Sequence, residues 1–163
     1  MFKKLMTVFC KLYAVFFRYV DLVLPSLVLL AFRFHWGLAF FYDGKGKLEN
    51  HDHVVEFFTS LGIPAPDMQA WFVSGLEYVG GILLLIGLFS RPISLVLAVN
   101  MLVAYLSVPD DRATLLNVWN EADPFLQATP FFYLLTSVLI LAFGPGVISL
   151  DRLISRMRKG KGC

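Results

Sequence analysis

Four apolar stretches, at residues 24–42, 68–89, 92–108 and 125–143, alternate along the chain with polar segments whose charge changes sign from one to the next. A helix needs roughly 17 to 25 mostly apolar residues to cross the hydrocarbon core of a bilayer, so each stretch suffices, the third only just. The pattern predicts an all-α integral membrane protein, a four-helix antiparallel bundle in a lipid bilayer. Residues 1–23 form a juxtamembrane amphipathic segment, 24–154 the four-helix transmembrane domain, and 155–163 a basic tail.

Local signals mark the ends of the spans. Ser90-Arg91-Pro92 is so short a link that spans two and three must be antiparallel neighbours, and Pro92 suits a first helical turn, where its missing N–H is not needed. Pro25 and Pro130 can serve spans one and four in the same way, Pro109 ends span three, and Gly144-Pro145-Gly146 stops span four. Gly75, Gly80, Gly81 and Gly87 in span two allow a neighbouring backbone to approach closely, which is how helices associate where the hydrophobic effect cannot drive them together. Between spans one and two, Val54, Phe57, Phe58 and Leu61 recur at helical spacing and end at Gly62, predicting a short amphipathic helix against the outer end of the bundle. The segment around Trp119 and Pro124 is expected to form a second outer cover.

Charge orients the bundle. Lys3, Lys4, Lys11 and Arg18 precede the first span, Arg91 lies between spans two and three, and Arg152, Arg156, Arg158, Lys159 and Lys161 follow the fourth. The two remaining loops hold only Lys45, Lys47 and Arg112 against Asp43, Glu49, Asp52, Glu56, Asp67, Asp110, Asp111, Glu121 and Asp123. The positive-inside rule therefore places both termini of this multi-pass chain in the cytoplasm. Composition agrees: 58% hydrophobic and 16% charged residues do not suit a soluble surface. Lys11, Arg18 and Asp21 interrupt the first apolar run, arguing against a cleavable signal. Cys10 and Cys163 both fall on the cytoplasmic side and are expected to be free thiols.

Four side chains in the spans do not belong in hydrocarbon: Arg33, His35, Glu77 and Asn100. A charge at mid-bilayer costs at least about 2.5 kcal/mol, so each needs a partner or a purpose. Taking Asp43, Asp67 and Pro109 as the outer ends puts Arg33, Glu77 and Asn100 at one depth, roughly 13 to 15 Å inside. An Arg33–Glu77 ion pair is then the simplest expectation, with Tyr133, Thr136 and Ser137 of span four within reach of the same layer. That layer is either a polar lock fixing helix register or a site for a proton or ligand. Arg33 and His35 lie about 200° apart around the helix, so only one can face the axis. His35 reads as a histidine held between helices, a proton relay or a quinone contact.

Other chemistry is thinly supported. His51-Asp52-His53, with Glu49 and Glu56 nearby, offers metal-ligand types, but no second matching cluster exists, and the reading is a solvated acidic loop without metal. Phe32, Phe34, Trp36, Phe40 and Phe41 surround Arg33 and His35 as packing or as the wall of a flat-ring pocket, while Trp71, Trp119 and Tyr42 fall where an interfacial belt belongs. Phosphate loops, nucleophile elbows and HExxH helices are missing from the sequence, and nothing points to nucleic acid. No residue is assigned a catalytic role.

Arg33-x-x-x-Gly37-x-x-Phe40, then Gly44-Lys45-Gly46-Lys47-Leu48 and Phe57-x-x-x-x-Gly62-Ile63-Pro64, resembles the first half of DoxX family membrane proteins. Glu77-x-x-Gly80-Gly81 running on to Gly87-Leu88-Phe89-Ser90-Arg91 is similar to the family's second helix and cytoplasmic turn, and Gly144-Pro145-Gly146 with Ser149-Leu150-Asp151 to its C-terminal boundary. The resemblance implies a four-helix inner-membrane protein of bacteria, related to a subunit of a thiosulfate:quinone oxidoreductase and to proteins found beside redox-defence and metal-related systems. It carries Arg33 and Glu77 over as family positions. Some redox-active relatives hold extracytoplasmic cysteines, which this chain lacks on that side. Two functions follow as expectations. One is a small membrane subunit of a redox system, with quinone as the candidate cofactor at Arg33, Glu77 and Asn100 and a protein partner supplying electrons. The other is a non-catalytic anchor or assembly protein in which Arg33–Glu77 is a lock.

Overall fold

In the computed structural model, which describes residues 2–160, every described element is a helix: α1 (Phe2–Glu49), α2 (His51–Ser60), α3 (Pro66–Ile86), α4 (Ser90–Ser107), α5 (Pro109–Leu116), α6 (Ala122–Gln127), α7 (Pro130–Phe143) and α8 (Leu150–Gly160). Cys163 and the side chain of Cys10 lie outside the described residues, and with them the expected free thiols.

Three helices, α1, α3 and α4, are long and apolar enough to cross a membrane. Apolar α7 has 14 residues, about 21 Å at the helical rise. The ends fall where proline and glycine put them. Pro66, Pro109 and Pro130 open α3, α5 and α7 in the first turn, where a missing N–H costs nothing. Past the last residue of α3, Gly87 takes φ +68°, and its N–H and that of Leu88 turn back to the carbonyls of Leu84 and Leu83. Gly62 at φ +71° follows α2 in the same left-handed region.

Two expectations are corrected. Pro25 does not open a helix; it lies inside α1, a single run of 48 residues spanning about 72 Å. Asp43 does not end the span, because α1 runs on through Gly44 and Gly46 to Glu49, and only Asn50 separates it from α2. Gly44 is not a turn residue. A Cβ there would lie 2.7 Å from the Tyr78 Cα and 2.8 Å from the Ser74 carbonyl oxygen, so its missing side chain is what lets α3 approach. Gly81 mirrors it on α3, where a Cβ would meet the Phe41 nitrogen at 2.5 Å and the Gly37 carbonyl oxygen at 2.7 Å. These small-residue contacts run α1 and α3 antiparallel in backbone-to-backbone register, as packing in lipid favours.

Around that pair α4 packs on α3, α7 on α4, and α7 back on α1. Phe40, Leu84, Leu97, Met101 and Ile140 form the buried apolar core between them. The stretch read as span four is broken: α6 and α7 are separated at Ala128 and Thr129. Most other large apolar side chains on the packed helices face outward, Val79, Val99, Leu106 and Phe132 among them, as expected where the solvent is lipid.

Candidate functional site

The four polar side chains singled out in the spans go to three different places. Glu77 on α3, 2% exposed, accepts a hydrogen bond from Asn100 Nδ2 on α4 at 3.2 Å, so these two meet as the depth argument expects. Arg33 does not join them. Arg33 is 1% exposed and its guanidinium lies at the C-terminal end of α3, where Nε donates to the Leu84 carbonyl at 2.9 Å, Nη2 to Leu85 at 3.1 Å, and Nη1 to Ile148 at 2.9 Å and to Pro145. The expected Arg33–Glu77 pair is therefore absent. The physical reason is the length of α1: it ends at Glu49, not Asp43, which places Arg33 about 9 Å further from that end than in a helix stopping at Asp43. His35 faces outward from α1, its ring edge-on to Trp36 at 4.9 Å.

Lys47 takes the place expected of Arg33. Its Nζ lies 2.5 Å from Glu77 Oε2, giving the buried carboxylate one cationic donor and, with Asn100, one neutral donor. Both Glu77 oxygens are thus engaged, which an ionised carboxylate so deep requires. One turn before Lys47 on α1, Asp43 accepts a hydrogen bond from the Tyr133 hydroxyl of α7. Lys47, Asp43 and Tyr133 complete a polar floor spanning four helices.

Above the floor opens a cavity of about 680 Å³. Phe40, Val73, Met101, Val103, Ala104 and Pro130 line its sides, and Val54, Phe57 and Phe58 of α2 with Leu61 and Ile63 its cover. The short amphipathic helix is thus present and does lie against the bundle end. Its N-terminus is held by His51, whose Nε2 is 2.9 Å from Asp67 Oδ1 and whose ring stacks on Trp71 at 4.3 Å. His51 is thereby committed to α3, while His53 borders the cavity. The second cover is different from the expected one: no residue of α5 or α6 lines the cavity, and α6 is tied to the bundle by Tyr105, whose hydroxyl donates to the Phe125 carbonyl at 3.0 Å, and by the ring of Phe125 against Phe131. Phe40 lines the cavity and packs edge-on to Tyr133, whereas Phe34 is exposed, so the aromatic cluster divides between wall and outer face.

The Arg33 end is a structural node. Leu84 and Leu85 are among the last residues of α3; the Leu84 carbonyl accepts from both the Gly87 N–H and Arg33, the Leu85 carbonyl from Arg33, and a cation there also meets the negative end of the helix dipole. Asp151 of α8 works on the next helix: its carboxylate accepts the N–H groups of Phe89 and Ser90 at 2.9 Å each, capping α4 from outside, while its own N–H donates to the Gly87 carbonyl at 2.9 Å. Asp151→Ala frees two helix-start N–H groups and is expected to lower stability by about 1 to 2 kcal/mol, with Asp151→Asn recovering part of the loss. Thermal unfolding of the detergent-solubilised variants measures both.

The node contains the glycine turn, the Ser149–Asp151 segment and Arg33; the floor contains Glu77. The sequence model of the DoxX family matches residues 28–110, just over half of the chain and the region that holds Arg33, Lys47, Glu77 and Asn100. The chain belongs to the DoxX family. It is 30% identical over 146 residues to "Inner membrane protein YphA" of Escherichia coli (strain K12), covering 83% of this chain and 96% of that one. It is 26% identical over 125 residues to "Putative oxidoreductase CatD" of Bacillus subtilis (strain 168), covering 76% of this chain and 84% of that one. No solved structure matches. With the family and the long apolar helices together, this DoxX protein is a multi-pass inner-membrane protein.

Lys47 and Asp43 escaped the sequence reading as site residues, whereas the α2 cover was expected. The signal that could have found Lys47 is its spacing of four from Asp43 in a stretch without proline, which on a continuing helix puts both on one face.

Proposed function

We propose that this DoxX protein is a small subunit of a redox system and binds a quinone-type ligand in the cavity above Glu77 and Asn100. In this reading α7 is a fourth crossing, both termini are cytoplasmic, and the cavity opens on the opposite face. The charge distribution supports the orientation, since the basic residues gather at the α8 end and the acidic ones at the α2 end. The antiparallel packing of α7 on α4, with Arg91 Nη2 at 3.3 Å from the Ala142 carbonyl, supports the fourth crossing.

The observation that carries the proposal is the cavity itself. Ligand sites are typically about 300 to 1,000 Å³, largely apolar, with a few polar groups converging at one point. Here the walls suit a ring and an isoprenoid tail, and the floor offers a lysine, two carboxylates, an amide and a phenol. Lys47 would donate to a quinone oxygen, Glu77 would exchange protons through it, and Asn100 would orient the head. Reduction of a quinone takes two electrons and two protons. The electrons come from a protein partner, the protons from this floor. That CatD carries the name of an oxidoreductase supports the redox assignment.

The anchor reading is favoured by one observation: Glu77 is already satisfied by Lys47 and Asn100, so the cluster also works as a lock. Copurification from native membranes in mild detergent, with bound lipids identified by mass spectrometry, separates the two. We expect near-stoichiometric quinone with the wild-type protein and at least a tenfold loss with Glu77→Gln and with Lys47→Met, both still folded and inserted. A folded protein that carries a protein partner and no quinone would make it an anchor.

A further inference from the structure

We propose that α8 lies in the headgroup layer of the membrane and binds anionic phospholipid. Leu150, Leu153, Ile154 and Met157 recur at the spacing of one helical face, and Leu153 and Met157 are more than half exposed. Arg152, Arg156 and Arg158 occupy the rest of the helix, all exposed, and none forms an ion pair among the described residues. A free apolar stripe beside unpaired guanidinium groups is the composition of a helix that rests in an interface.

Its position makes the lipid the occupant. The Asp151 latch fixes the first turn of α8 to the start of α4 and to the turn after α3, where two membrane-crossing helices end. Beyond that latch α8 has no extensive packing on any other helix of the described residues. A helix tied at the rim of the hydrocarbon and otherwise uncovered finds acyl chains on one side of the boundary and phosphates on the other. The stripe and the arginines match those two layers. Guanidinium forks bind phosphate oxygens in pairs, and exposed Arg91 adds a fourth cation at this end.

The test is amide hydrogen exchange of the full-length protein in nanodiscs of phosphatidylcholine, with or without phosphatidylglycerol. Each basic residue near an anionic surface is worth about fivefold in attraction, so three contribute roughly 100-fold. We expect exchange across 152–158 to be slowed in the anionic discs, and that protection to fall by up to about 100-fold in zwitterionic discs. High salt should reverse it in the anionic discs by screening. Arg152→Gln, Arg156→Gln and Arg158→Gln combined should behave in anionic discs as the wild type does in zwitterionic ones. Equal protection in both lipids would overturn the proposal, leaving apolar insertion without headgroup recognition. Fast exchange in both would also overturn it and leave α8 free for a protein. The lipid and salt comparisons need no variant, so a misfolded triple mutant does not blunt the test.

Discussion

Arg33→Ala is expected to be among the most destabilising single substitutions in the chain, lowering stability by about 4 kcal/mol or more. The guanidinium engages four carbonyls, of Leu84, Leu85, Pro145 and Ile148, and it is buried. A buried acceptor stripped of its donor costs about 1 to 3 kcal/mol, and water from the nearby boundary recovers only some of that. The loss also unpins the 144–149 segment from the end of α3, and with it the Asp151 latch on α4. In a chain of this size such a change lowers the unfolding midpoint by about 10 °C. Arg33→Lys is expected to fall between, because an ammonium is a compact donor that cannot span carbonyls from two segments. Thermal unfolding in detergent, with the monodisperse fraction after solubilisation, measures the series. A double-mutant cycle with Glu77→Gln is the control: the two losses are expected to add, because Glu77 is held by Lys47 and Asn100, whereas an Arg33–Glu77 pair would make them couple. An unchanged midpoint for Arg33→Ala would remove the node from the account of this fold.

That node shows where sequence reasoning stops. The periodicity of apolar residues locates α3 and α4 to within two or three residues, and proline and glycine at their ends say why they stop there. The α2 helix is visible in four apolar positions, and the Glu77–Asn100 pair in a depth count. Arg33 defeats the same count because its partners are backbone carbonyls, which every residue has and no residue type marks. A carboxylate at apparently equal depth was the only partner the sequence could display. Lys47 was hidden by where span one was taken to end: with Asp43 as the end of the helix, a lysine between Asp43 and Glu49 read as a loop charge. Only the close approach of α3 explains Gly44, and that is a fact about a distant segment. His35 was half legible, since the angular offset from Arg33 required one of them to face away, without saying which.

The glycine seam yields the second large effect, and it ties packing to the site. Gly44→Ala is expected to cost about 2 to 3 kcal/mol, whereas Gly46→Ala and Gly75→Ala should be neutral or stabilise by up to about 1 kcal/mol. All three replace a helical glycine with the best helix former, so propensity alone predicts three gains. The difference lies in what the new methyl meets. At Gly44 it meets the Tyr78 Cα at 2.7 Å and the Ser74 carbonyl at 2.8 Å, backbone atoms that cannot rotate aside, while at Gly46 and Gly75 nothing lies within 4 Å. Relief requires α1 to move off α3. Asp43 and Lys47 flank Gly44 on α1 and Glu77 belongs to α3, so the same movement lengthens the Lys47–Glu77 contact from 2.5 Å and strips a buried carboxylate of its cation. Unfolding by titrated dodecyl sulfate reads the stability change, and the quinone content of the same samples reads the site. A Gly44→Ala protein as stable as the Gly46→Ala protein would mean the seam is looser than the structure has it. A destabilised one that keeps its full ligand content would mean that α1 moves without disturbing the floor.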